Sequence, residues 1–185
     1  MKTLFVILAL FLGFSTCQAE TQKLMMAIND EYTVQDTDKW TVSVQRYLIL
    51  RFADVKVVPK QGKTFSLMLY FKCDTKDLAM VDTPAKMKNV VIASSKKYLE
   101  ISVEKDLQIE EIHNKGWYGF KTQITDASLV GKKIPEGEFL YLIRGMIRLS
   151  EDSALGFSLM INDLNSQETR EIVNYIYGFA KERKP

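Results

Sequence analysis

The sequence predicts an α+β fold: one antiparallel sheet with helices on both faces, an α/β/α sandwich. Three observations carry this expectation. Segments 65–73 and 155–161 alternate apolar and polar residues with period two, as half-buried strands do. Segments 84–98 and 165–180 place apolar residues at helical spacing, so each needs a sheet face to cover. No glycine fingerprint and no repeated βαβ unit point to a nucleotide-binding sheet.

The chain has 185 residues, 46% hydrophobic and 26% charged, which is a globular composition with room for one domain. The net charge of +2 argues against nucleic acid as a partner, because electrostatic binding to phosphates calls for a strong basic excess. Residues 1–19 read as a secretory leader. Lys2 supplies the positive start, Leu4 to Phe14 the apolar run, and Cys17-Gln18-Ala19 a small-residue cleavage site, with cleavage expected after Ala19. An apolar run of that length spans roughly 16 Å as a helix, about half a bilayer, so a transmembrane anchor is the weaker reading. The alternative is a lipid anchor at Cys17, but Phe14-Ser15-Thr16 fits a lipoprotein signal poorly. No later segment is long and apolar enough to span a membrane. After cleavage the acidic and basic residues nearly balance, and Cys73 is the one remaining cysteine, so no disulfide framework is expected. Export combined with few cysteines and many lysines suits a Gram-negative periplasm, or a secreted product.

Residues 20–39 are polar and read as an N-terminal arm, a short helix or a loose segment. Residues 40–185 read as a single α+β domain. From Trp40 the chain is rich in Val, Ile, Tyr and Phe, which favours strand for 41–50, although Val44, Leu48 and Arg51 also fit a helix. Asp54 to Val58 reads as a second strand, ended by Pro59 and a turn at Gln61-Gly62. Phe65, Leu67, Leu69, Phe71 and Cys73 share one parity of the clearest strand, which makes Cys73 a core residue rather than a nucleophile. Thr83-Pro84 opens a helix with Met87, Val90, Val91, Ser94 and Tyr98 on one stripe, about four turns long. Ile101 to Ile112 reads as a strand bearing Glu104, Asp106, Glu110 and Glu111. Asn114-Lys115-Gly116 turns it into a return strand from Trp117 to Asp126. After a loop at 131–137, Phe139–Leu149 and Leu155–Ile161 form the last two strands. Asn165 to Glu168 has capping-box form, starting a helix with Ile172, Val173, Ile176 and Ala180 inward.

This order of elements, over roughly Thr64 to Ala180, resembles the PsbP, Mog1 and DcrB-like group. The resemblance implies a sheet sandwiched by helices and an interaction scaffold more than an enzyme. It leaves the segment from Glu20 to Val58 unaccounted for.

Catalytic constellations are sparse. His113 is the single histidine, no G-x-S-x-G elbow exists, and one His with one Cys falls short of a zinc ligand set. Asp74, Asp77 and Asp82 cluster by spacing but lack a calcium-loop pattern. Glu104, Glu110 and Glu111 are carboxylates suited in type to glycoside hydrolysis, although charges on an alternating strand ordinarily mark its wet face. No cofactor and no catalytic residue are expected. The binding-like features are Trp117 and Tyr118 at a hairpin start, and Arg144 and Arg148 on one parity of a strand. An aromatic rim with two arginines suits a small anionic ligand or an acidic segment of an envelope protein. The expected function is that of an exported periplasmic binding or accessory protein. The rival readings are an envelope hydrolase using carboxylates and an exported effector- or immunity-type partner protein.

Overall fold

The structure, a computed structural model, describes residues 21–27, 30–47, 52–114 and 117–180. The leader with its cleavage point at Ala19, the anchor position Cys17, residues 48–51 of the third segment and the turn at Lys115-Gly116 lie outside the described residues. Among the described residues the strands are β1 (Thr21–Ala27), β2 (Asp30–Gln35), β3 (Trp40–Tyr47), β4 (Phe52–Pro59), β5 (Phe65–Lys72), β6 (Ile109–Asn114), β7 (Trp117–Thr125), β8 (Tyr141–Arg148) and β9 (Ala154–Ile161). The helices are α1 (Thr75–Ala79), α2 (Pro84–Ser95) and α3 (Gln167–Gly178). The class is α+β.

Strands β3 to β9 form one seven-stranded antiparallel sheet in the order β3-β4-β5-β9-β8-β7-β6. The last four strands are the expected meander. The first and second halves of the chain meet where β5 pairs with β9, Leu67 opposite Leu159. Strand β5 keeps the expected alternation, with Phe65, Leu67, Leu69 and Phe71 buried and their neighbours half-buried. Gly62 takes a φ of 69° in the turn before it, where a side chain would be strained. Strand β9, expected to be half-buried, is buried along nearly its whole length, because it runs between β5 and β8 and residues of both its parities pack into apolar clusters.

Two apolar clusters hold the molecule together. In one, Ile172, Ile176 and Phe179, on and just after α3, meet Val55, Leu67, Leu69, Phe71, Ile143, Ile147, Leu155 and Leu159. In the other, Met87 and Val91 of α2 meet Leu78, Val81, Phe120, Met146 and Ala154.

Several local expectations are corrected. Residues 21–27 and 30–35 are neither a helix nor a loose segment. They form the antiparallel hairpin β1–β2, whose Leu24, Tyr32 and Val34 are buried in the first cluster. Residues 40–47 are strand, as favoured. Residues 101–108 are not a strand. A 3-10 turn at Lys96–Ile101 follows α2, and a loop leads from it to β6. Ser102, whose hydroxyl donates to the Leu99 and Glu104 carbonyls, closes that turn and bridges to Asp126, while Val103 stays exposed. The final helix starts one residue later than expected. Ser166, not Asn165, is the cap, and its hydroxyl accepts from the Thr169 amide at 3.0 Å, so Glu168 does not hold the capping-box position. At α2 the Thr83 hydroxyl accepts from the Lys86 amide, as Thr83-Pro84 implied.

Candidate functional site

Strand β8 sends Arg144, Met146 and Arg148 to one face, with Thr122 opposite Arg144 and Phe120 opposite Met146 on β7. Phe120 and Met146 are buried with Met87 and Val91 of α2. The two arginines, four residues apart on a strand, are therefore separated by roughly 13 Å and by a buried apolar step. Their guanidinium groups turn to different partners, the Tyr98 hydroxyl and the Glu151 carbonyl.

Each arginine has its own surroundings. Arg148 is only 8% exposed. Its Nη2 donates to the Glu151 carbonyl, and its Nη1 is buried with no hydrogen-bond partner. The Tyr118 phenol donates to the Val81 carbonyl at 2.8 Å. Burial raises the Tyr118 pKa, and Arg148 acts against that rise. Trp117 and Tyr118 are consecutive on β7, so they leave the strand on opposite faces and do not form one aromatic rim.

Arg144 is half-buried. Its Nη1 donates to the Tyr98 hydroxyl at 3.0 Å, and the guanidinium lies 5.3 Å from the centre of the Tyr98 ring. The 3-10 turn after α2 places Tyr98 there. Beside Tyr98 opens a cleft of about 170 Å³ lined by Tyr98, Ile101, Ile124, Phe139, Leu142 and Met160 among others, with Asp126 as its one carboxylate; Arg144 adjoins it through Tyr98 and is not itself in the lining. Leu142 pairs with Met160 on β9 and with Ile124 on β7, so three strands supply an apolar floor one step along from Arg144. Ile101, 59% exposed, stands at its rim. Among the described residues no carboxylate pairs with Arg144. Arg144 was legible as a candidate from the strand pattern. Tyr98 was read only as a helix residue, and Phe139, Leu142 and Met160 only as strand residues. The cleft exists because the turn after α2 crosses the ends of β7, β8 and β9, a tertiary arrangement with no local signature.

Asp74, Asp77, Asp82, Glu104 and Glu110 are already engaged. Cys73 is buried. The backbone of His113 pairs with Tyr118 in the β6–β7 ladder. Asp74 caps α1, accepting from the Lys76 amide at 2.8 Å. Asp77 pairs with Lys72 at 2.8 Å and Asp82 with Lys86 at 2.9 Å. Among the described residues no group of three or more His, Cys, Asp or Glu is placed to hold a metal ion. Glu104 uses both oxygens on Thr125, accepting from its amide at 2.8 Å and its hydroxyl at 2.6 Å. Glu110 pairs with Lys121 at 2.9 Å. A second, wider depression of about 470 Å³, lined by residues that include Asp38, Lys39, Lys60 and Glu171, is crossed by the Lys39–Glu171 ion pair. No helix among the described residues is long and apolar enough to cross a membrane. Comparison with family models, curated proteins and solved structures gives no match.

Proposed function

We propose that the chain is an exported, non-catalytic binding or accessory protein of the bacterial periplasm, cut after Ala19. We further propose that it works through the cleft beside Tyr98 and Arg144, and that the ligand is a small amphipathic carboxylate. The observation that carries this reading is an arginine without a carboxylate partner, among the described residues, next to a mainly apolar cleft whose one carboxylate, Asp126, accepts from the Ser128 amide. The cleft takes the hydrocarbon part and Arg144 the charge, through a charge-assisted hydrogen bond. A volume of 170 Å³ compares with the roughly 150 Å³ apolar cavity that accepts benzene. The hydrocarbon part is therefore a single ring or a short chain.

The proposal includes the α/β/α sandwich, with α2 and α3 on opposite faces. Residues of opposite parity support this: Met146 and Ala154 cluster with α2, whereas Ile143, Ile147 and Leu155 cluster with α3. The likeness to the PsbP, Mog1 and DcrB-like group belongs to the same proposal. Helix α2, the meander β6–β9 and α3 follow one another in the order on which that likeness rests. The hydrolase alternative gains less support, since Glu104 and Glu110 are occupied by Thr125 and Lys121.

The test is calorimetric titration of the protein with octanoate, using octanol as the uncharged control. The protein is expressed with its own leader and recovered from the periplasm, so that a mass beginning at Glu20 checks export. Octanoate is expected to bind more tightly than octanol, and Arg144→Gln to weaken octanoate about tenfold or more while leaving octanol unchanged. Equal binding of octanoate to Arg144→Gln and to the parent overturns the assignment. Retention of an envelope protein, lost in Arg144→Gln, without octanoate binding would replace the small ligand by a partner's acidic side chain.

A further inference from the structure

We propose that Arg148 is a second, separate site: a seat for one small oxyanion, a carboxylate or a phosphate, held at Nη1. A guanidinium taken out of water needs a counter-charge or a full set of acceptors, because desolvating a cation without them is costly. Arg148 has neither. It is more than nine-tenths buried, one carbonyl accepts from Nη2, Nη1 has no partner, and no carboxylate forms an ion pair with it among the described residues. The segment over this part of the sheet offers no counter-charge either. Leu78 and Val81 bury themselves against Ala154, which lies opposite Arg148. The carboxylates of that segment are taken, Asp77 by Lys72 and Asp82 by Lys86. Lys72 also lies opposite Ala154, on its other side, but Asp77 balances it, so that pair leaves the charge of Arg148 uncompensated. The Tyr118 hydroxyl, near enough for Arg148 to act on its ionisation, already donates to Val81. What is missing is an acceptor with negative charge. Nη1 is closed off from solvent, which favours a small free oxyanion over a side chain brought by another protein.

The test is the melting temperature of the whole mature protein in sodium chloride, acetate or phosphate at equal ionic strength. A parallel arm follows the Arg148 side-chain ¹⁵N resonance through the same titrations. Acetate or phosphate is expected to raise the melting temperature over chloride, by about 5 °C at hundredfold excess over its dissociation constant. The Arg148 resonance should move with the same midpoint. Which salt acts tells a carboxylate from a phosphate. Arg148→Met should lose the anion effect, and Arg144→Gln should keep it, so failure here is distinguishable from failure of the cleft. Identical melting in the three salts, an anion effect that survives in Arg148→Met, or an unmoved Arg148 resonance overturns the proposal. Should Arg148→Met not fold, the resonance of the unaltered protein decides alone.

Discussion

Glu104 ties the loop after α2 to the end of β7. Burial by itself pushes its carboxyl up, but the hydrogen bonds from the Thr125 hydroxyl and amide outweigh it and hold the pKa below the ordinary value. A carboxylate depressed in the folded state contributes stability that is present above its unfolded pKa, about 4.3, and is lost as pH falls through the folded pKa. Glu104→Gln is therefore expected to be less stable than the parent at pH 7. The gap should shrink as the pH is taken below about 4. Urea midpoints at the two pH values check this, and a gap that stays constant would refute the linkage. Residue-scale chemistry of this kind is only partly legible in a sequence. Glu104 was visible as a charge on a presumed wet strand, but its partner Thr125 is brought to it by the fold. Gly145 gives the same lesson. It fell on the apolar parity of its strand with no reason for being glycine. In the structure a Cβ there would lie 2.3 Å from the Phe157 ring and 2.7 Å from the Phe120 carbonyl oxygen, so the ring of a neighbouring strand fills the glycine's place.

At the scale of elements, the strands that bury one parity were the legible ones. Strand β5 and the helices α2 and α3 carry their periodicity without help from distant residues. The hairpin β1–β2 does not. Its apolar content is thin, and Tyr32 and Val34 alternate over too short a run to mark a strand without the partner that pairs with it. The structure makes this hairpin part of the core. Leu24 is 1% exposed, Tyr32 meets Phe71 and Phe179 at ring-centre distances of 5.4 and 6.4 Å, and the Tyr32 hydroxyl lies 2.8 Å from that of Ser153. Arg46 of β3 also reaches the Lys23 carbonyl at 2.6 Å. Leu24→Ala should thus lower stability by about 2–5 kcal/mol, the range for a truncated core leucine. The same change in a loose arm would stay within about 0.5 kcal/mol. Denaturant unfolding separates the two outcomes. The segment 101–108 failed in the opposite direction. Ile101 and Val103 suggested a strand by type, yet both are exposed, and the hydroxyl of Ser102 turns the chain where a ladder would need it straight.

At the scale of the molecule, the sheet is two antiparallel runs, β3–β5 and β6–β9, joined along the single pairing of β5 with β9. That pairing joins segments far apart in the chain, so no local signal announced it, and the order of strands came from the structure alone. The cluster under α3 spans the seam, drawing Val55, Leu67 and Leu69 from one run and Ile143, Leu155 and Leu159 from the other. A seam bridged by a shared core should make the two runs unfold as one unit, since neither buries its apolar face without the other. Hydrogen exchange tests this. Amides of β5 and β9 should exchange only through global unfolding, and those of the edge strands β3 and β6 sooner by local opening. Leu159→Ala removes a fully buried side chain at the seam. It should lower protection in β4 and β5 by the same free energy as in β7 and β8, about 2–5 kcal/mol. Loss of protection confined to β6–β9 would mean that the two runs are independently stable, and the single-core account of the fold would fail with it.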